Sequence, residues 1–120
     1  MDSDRDERLE RAILRVIDKR IGQPKRIGRE ELVDHLRRYF DPTVKDREVR
    51  ASIEDLRRND DIGALICSSS GTGGYWLAEN ITELLASYRE ERRRALTEMV
   101  TIRARLRRGK SVLGGQLKML

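Results

Sequence analysis

The chain has little of several things that usually announce a function. A single cysteine, Cys67, leaves no partner for an intramolecular disulfide. A single histidine, His35, has no second histidine, cysteine or nearby carboxylate at metal-ligand spacing, which points to a surface or half-buried structural role. Aromatic residues make up only 4% of the 120 positions, so the core must be assembled from Leu, Ile, Val and Ala, a composition that favours helices. No apolar run approaches the ~20 residues of a membrane span, and the first eight residues are acidic and polar where a secretory leader is apolar. There is no phosphate-binding glycine loop, no nucleophile-base arrangement and no acid pair in a plausible pocket. The expectation is a soluble, cytoplasmic protein without metal, cofactor or enzymatic activity.

What is abundant is charge, at 39% of residues. The net of +5 is unevenly placed: residues 81–120 carry 10 Lys/Arg against 4 Asp/Glu, a net of +6, leaving residues 1–80 with 16 against 17, a net of −1. A polyanion would therefore meet a localised cationic face in the first two thirds, and the strongest general attraction near the C-terminus.

Hydrophobic spacing divides the chain. Leu9, Ala12, Ile13, Val16, Ile17 and Ile21 mark one face of a first helix, stopped by Gly22 and Pro24. Ile27 suits a short extended piece. Glu30 to Phe40 reads as a second helix with Leu32, Val33, Leu36, Tyr39 and Phe40 inward, ended by Asp41-Pro42. A third helix runs from about Asp46 to Asn59 on the stripe Val49, Ile53, Leu56. Ala64–Ser68 and Tyr75–Ala78 then flank a Ser/Gly-rich turn, a hairpin with a long tip in which Tyr75, Leu77 and Cys67 face the core and Trp76 faces the other way. Asn80-Ile81-Thr82-Glu83 has the form of a capping box and opens the longest helix, expected to stop at Gly109, with residues 109–120 unassigned.

The order helix, helix, helix, Gly-rich hairpin resembles the winged helix-turn-helix fold. Arg29-Glu-Glu-Leu-Val-Asp-His-Leu36 is similar to the first helix of the pair. Asp46-Arg-Glu-Val-Arg-Ala-Ser-Ile-Glu-Asp-Leu-Arg-Arg58 is similar to a recognition helix, and Ile66 to Leu77, ending Gly74-Tyr-Trp-Leu77, to the wing. The pattern resembles the N-terminal DNA-binding domains of bacterial regulators of the biotin-repressor and deoxyribose-repressor types, and small phage or prophage winged-helix proteins. The resemblance covers residues 7 to 78. It implies a fold that is mainly α with a small β-hairpin, residues 1–78 as the winged domain, and residues 79–108 as an appended basic helix.

That resemblance assigns roles. With Val49, Ile53 and Leu56 inward, Arg47, Ala51, Glu54 and Arg58 point outward, flanked by Arg50 and Arg57. Arginine can read guanine and glutamate cytosine, while a small side chain permits close approach to the groove floor. Lys25, Arg26 and Arg29 stand where a helix N-terminus and cations hold a phosphate, and Ser70 and Thr72 offer hydroxyls at the wing tip. In the last helix Ile81, Tyr88, Ala95 and Ile102, with Leu85, Arg92, Met99 and Leu106, form a sevenfold seam interrupted by Arg92, suited to a second copy of the chain. The expected partners are double-stranded DNA and a homodimer, in transcriptional regulation or phage-type DNA processing. A winged-helix adaptor that binds protein rather than specific DNA is the alternative, and a non-specific architectural binder a third.

Overall fold

Four-residue spacing of Leu9, Ile13 and Ile17 requires a helix that turns one stripe inward, and α1 (Ser3–Ile17) buries all three completely. The structure is a computed structural model describing residues 3–69 and 73–119, with side chains to residue 115. After α1 come β1 (Ile27–Gly28), α2 (Arg29–Tyr39), α3 (Asp46–Asn59), β2 (Ile66–Ser68), β3 (Gly74–Leu77) and α4 (Ile81–Met119). The strands form an antiparallel sheet in the order β1-β3-β2, with Ile27 opposite Tyr75 and Ile66 opposite Leu77. The fold is mainly helical with a small three-stranded antiparallel sheet and a long C-terminal helix, the element order expected of a winged helix-turn-helix followed by a helix. The short extended piece at Ile27 is a third strand, so the wing is anchored to the segment that opens α2.

Alternation along β3 sorts its side chains. Tyr75 and Leu77 join the core with Leu32, Leu36, Ile53 and Leu56. Trp76 pairs across the strands with Cys67 on the other face, and both are buried, although neither belongs to that core. Cys67 is thus a packing residue, as expected, but on the sheet's second side. The opening turns of α4 carry matching burial: Ser87 is buried, and Glu83 and Leu84 are half-buried. Asn80 caps α4 by accepting the Glu83 N–H at 2.9 Å.

Three sequence expectations change. Ile21 is not on the α1 face; the helix ends at Ile17, and Ile21, half-exposed, makes a bridge to Leu77 beside Gly22, whose φ of +88° turns the chain. Tyr39 points outward, 69% exposed, because it lies at the edge of a stripe centred on Leu36 and the helix ends there. Gly109 does not stop α4, which continues to Met119. No left-handed turn forms at Gly109, and a helical glycine costs only about 1 kcal/mol, which the flanking helix formers outweigh.

The chain separates into two compact units, Met1–Ser87 and Tyr88–Leu120, the first of which includes the opening turns of α4.

The turn from α3 into β2 depends on Gly63. A Cβ there would stand 2.4 Å from the Leu56 carbonyl oxygen. The Gly63 N–H is held by the Asp60 carboxylate at 2.8 Å. Gly63→Ala is expected to destabilise the first unit by about 3 kcal/mol, read as a lowered urea midpoint, whereas Gly109→Ala is expected to leave it unchanged or raise helicity.

Candidate nucleic-acid interface

The position of α3 is fixed before its outer face is considered. Arg5 at the start of α1 reaches Asp41, at 3.3 Å, and Glu48, joining three segments around the α2–α3 link. Hydrogen bonds from Thr43 hold the Asp41 carboxyl below its ordinary range, and the Arg5 guanidinium does the same for Glu48. Arg37 of α2 donates to the Val44 carbonyl at 2.8 Å, closing the link from the other side. Glu48 also accepts the Lys45 N–H at 3.2 Å and so caps α3. On the α1 side, burial raises Glu10 to about 7, helped by its hydrogen bond to Asp55 of α3, which is lowered by the same bond.

With α3 held in this way, Arg47, Arg50, Ala51, Glu54 and Arg58 are exposed while Val49, Ser52, Ile53 and Leu56 are buried. Arg50 is preset by Asp46 one turn earlier, at 3.0 Å. Arg57 departs from the expected role. Its Nε donates to the Ile66 carbonyl and its Nη2 to the Ser68 hydroxyl, each at 3.0 Å, and its Nη1 meets Glu54 at 3.0 Å. Only 17% of that side chain is exposed, so Arg57 is a clamp between α3 and β2 rather than an outward reader. The same contact engages Glu54, which therefore presents to a ligand as half of an ion pair.

Arg26 and Arg29, at the start of α2, lie against Gly74 and Gly73 where β3 begins. The Arg29 N–H donates to the Gly73 carbonyl at 3.0 Å, and its side chain runs past Gly73, whose φ of +65° suits glycine. The Arg26 side chain lies over Gly74, where a Cβ would come within 3.0 Å of it, so this glycine admits the arginine stem. Lys25, Arg26 and Arg29 are all exposed. Arg29, Arg57 and Arg50 all act on the Tyr75 hydroxyl, although burial dominates and raises its pKa. Arg29 through the Gly73 carbonyl and Arg57 through Ser68, which pairs with Tyr75, thus meet the sheet at neighbouring positions. Beside them a cleft of about 520 Å³ between α2 and the start of α3 is lined by Arg29, Arg37, Glu30, Asp34 and Asp46. Ser70 and Thr72 lie outside the described residues.

The seam residues of α4 fall in both units. Ile81 and Leu85 are exposed in the first, and Tyr88, Arg92, Ala95, Met99, Ile102 and Leu106 in the second. Because the helix passes Gly109, the series continues to Leu113, also exposed. The Thr97 and Thr101 hydroxyls bond back to the carbonyls of Arg93 and Thr97, as threonine does on an open helix surface.

Sequence reasoning missed Asp46, Arg37 and the structural use of Arg57. The i,i+4 spacing of Asp46 and Arg50 was a readable signal. The Arg57 clamp depends on where β2 passes, which no local pattern encodes.

No protein-family model, curated protein or solved structure matches the chain.

Two outcomes follow from this geometry. Arg57→Ala is expected to lower stability by about 2 kcal/mol through loss of charged hydrogen bonds to β2, measured by urea unfolding, and Arg57→Lys does not restore it. A carboxyl raised in the folded state stabilises the fold below its unfolded value and loses that contribution as pH climbs through the folded one. For Glu10 the window runs from its ordinary 4.5 to about 7. The melting temperature should therefore fall between pH 5 and pH 8 in the wild type and fall less in Glu10→Gln, in which the amide still donates to Asp55.

Proposed function

We propose that the protein binds double-stranded DNA as a dimer, with α3 in the major groove and the base of the wing beside the phosphate backbone. The observation that carries this reading is the outer face of α3. Arg47, Arg50, Ala51 and Arg58 are uncovered on a helix whose other side is locked into the core, with Lys25, Arg26 and Arg29 exposed at the neighbouring α2 start. A helix reading bases needs cationic donors at its surface and a small residue where it meets the groove floor, and Ala51 stands within one turn of Arg47, Arg50 and Glu54. Arg29 and Arg26 serve as phosphate contacts that set register.

Dimerisation through α4 supports the same reading. A helix that exposes Ile81, Leu85 and Tyr88 and then, past Arg92, Leu96, Met99, Ile102 and Leu106 is a poor solute alone, and a second copy covers the stripe. Paired modules then meet paired half-sites, the symmetry expected of a regulator or a DNA-processing factor. The arginines at 103, 105, 107 and 108 add sequence-independent attraction. Nothing in this reading requires enzymatic chemistry or a cofactor, and a cytoplasmic setting suits it.

The adaptor reading has one observation in its favour: residues 1–80 carry a net charge of −1, which leaves the cationic face of α3 without general support from the rest of that region.

Selection from a random duplex pool, followed by binding titrations across a salt series with the mass of the complex recorded, distinguishes these readings. The expected result is a site of two related halves bound by a dimer, with a steep salt dependence. In Arg47→Ala/Arg50→Ala the affinity should fall at least about tenfold and the sequence preference should relax. Indifference of that variant, with loss of binding on replacing the arginines at 103–108, would instead assign DNA attraction to the basic helix alone. No duplex binding at moderate salt would favour the adaptor.

A further inference from the structure

Between α1 and α2 lies a groove of about 640 Å³ that the DNA-binding reading does not use. Its lining contains five cations, Arg8, Arg11, Arg15, Lys19 and Arg20, against one carboxylate, Glu31. The half-buried side chains of Ala12, Val16 and Phe40 form an apolar floor. On the α2 lip Tyr39, 69% exposed, packs against His35 with the rings tilted at 45° and their centres 4.7 Å apart, and the Arg38 guanidinium lies 5.4 Å from its ring centre. We propose that this groove is a docking site for an acidic amphipathic helix of a partner protein, whose apolar side chains seat on Ala12, Val16 and Phe40 and whose carboxylates face the α1 cations.

Charge complementarity selects this occupant. Arg8, Arg11, Arg15 and Lys19 follow at intervals of three or four residues, a cationic row of about three turns, which matches carboxylates repeated at the same interval on a partner helix. Among the described residues the ion pairs of Arg8 and Arg11 are with Asp4 and Glu7 on their own helix, in pairs 59% or more exposed on both sides. Such pairs contribute little and exchange readily for other carboxylates. Arg15 and Lys19 have no carboxylate within ion-pair distance among the described residues. A DNA duplex would satisfy the cations with its phosphates but, its bases being stacked internally, would leave the apolar floor of Ala12, Val16 and Phe40 uncovered, so a peptide is favoured. An exposed aromatic beside an apolar floor is the usual anchor of a protein interface.

Among the described residues no residue of α3 lines the groove, and none of its lining residues is paired to α3 in an ion pair. A partner can therefore dock while the α3 face remains open, and the groove does not depend on whether that face binds DNA.

The test uses isotope-labelled full-length chain titrated at about 150 mM salt with a synthetic peptide of about 16 residues. The peptide carries Leu at three-and-four spacing on one face and Glu elsewhere. Its Glu→Gln counterpart and a short DNA duplex serve as competing probes. The expected result is saturable binding with amide shifts at Ala12, Arg15, Lys19, His35 and Tyr39. Binding should weaken at least about tenfold in Arg15→Glu/Lys19→Glu and for the Gln peptide, should weaken in Tyr39→Ala, and should be unchanged in Arg47→Ala/Arg50→Ala. These side chains are exposed, and circular dichroism verifies that each variant is folded. Absence of saturable binding, shifts centred on α3, equal binding by the Gln peptide, or displacement of the peptide from the groove by duplex would each overturn the proposal.

Discussion

The attachment of α3 to the rest of the first unit is the constraint on which everything else depends. One side of that helix is sealed by Val49, Ile53 and Leu56 in the core. Its start is tied to α1 by the Arg5–Glu48 contact, its middle by the Glu10–Asp55 pair, and its end by Arg57 to β2. Gly63 allows the chain to leave the helix against the Leu56 carbonyl. Together these contacts hold the outward arginines at a set angle. A recognition surface needs that rigidity, because a helix that rocks cannot align bidentate donors with base edges.

The polar contacts that hold α3 are more than decoration on an apolar core. Three of them join segments at least 36 residues apart or span from helix to sheet, and each is partly shielded from water. Shielding increases the cost of losing one partner more than it increases the gain from keeping both. The same logic separates the arginines of α3 into two groups. Arg57 is bonded at all three nitrogens and stabilises the fold, whereas Arg47, Arg50 and Arg58 remain exposed at the surface.

Much of this was legible in the sequence, since periodicity is a local property. The stripes of α1, α2 and α3, the extended piece at Ile27, the hairpin and the Asn80 cap all follow from spacing and cap chemistry. The misreadings have physical causes. Tyr39 looks apolar and sits at helical spacing, yet a helix end leaves it in solvent. Gly109 resembles a stop signal, but a glycine halts a helix only when the next turn is left-handed or the flanking residues are weak formers. Arg57, the Glu10–Asp55 pair and the α1–α2 groove were out of reach, because each arises from packing between elements distant in sequence. Ser70 and Thr72 lie outside the described residues.

The most direct test of the account is amide chemical-shift mapping of the full chain bound to a duplex recovered by selection. The account predicts the largest changes along Arg47–Arg58 and at Arg29, with the clamp residues Arg57 and Ser68 keeping their free-state contacts. Changes confined to residues 103–110, with α3 silent, would contradict it.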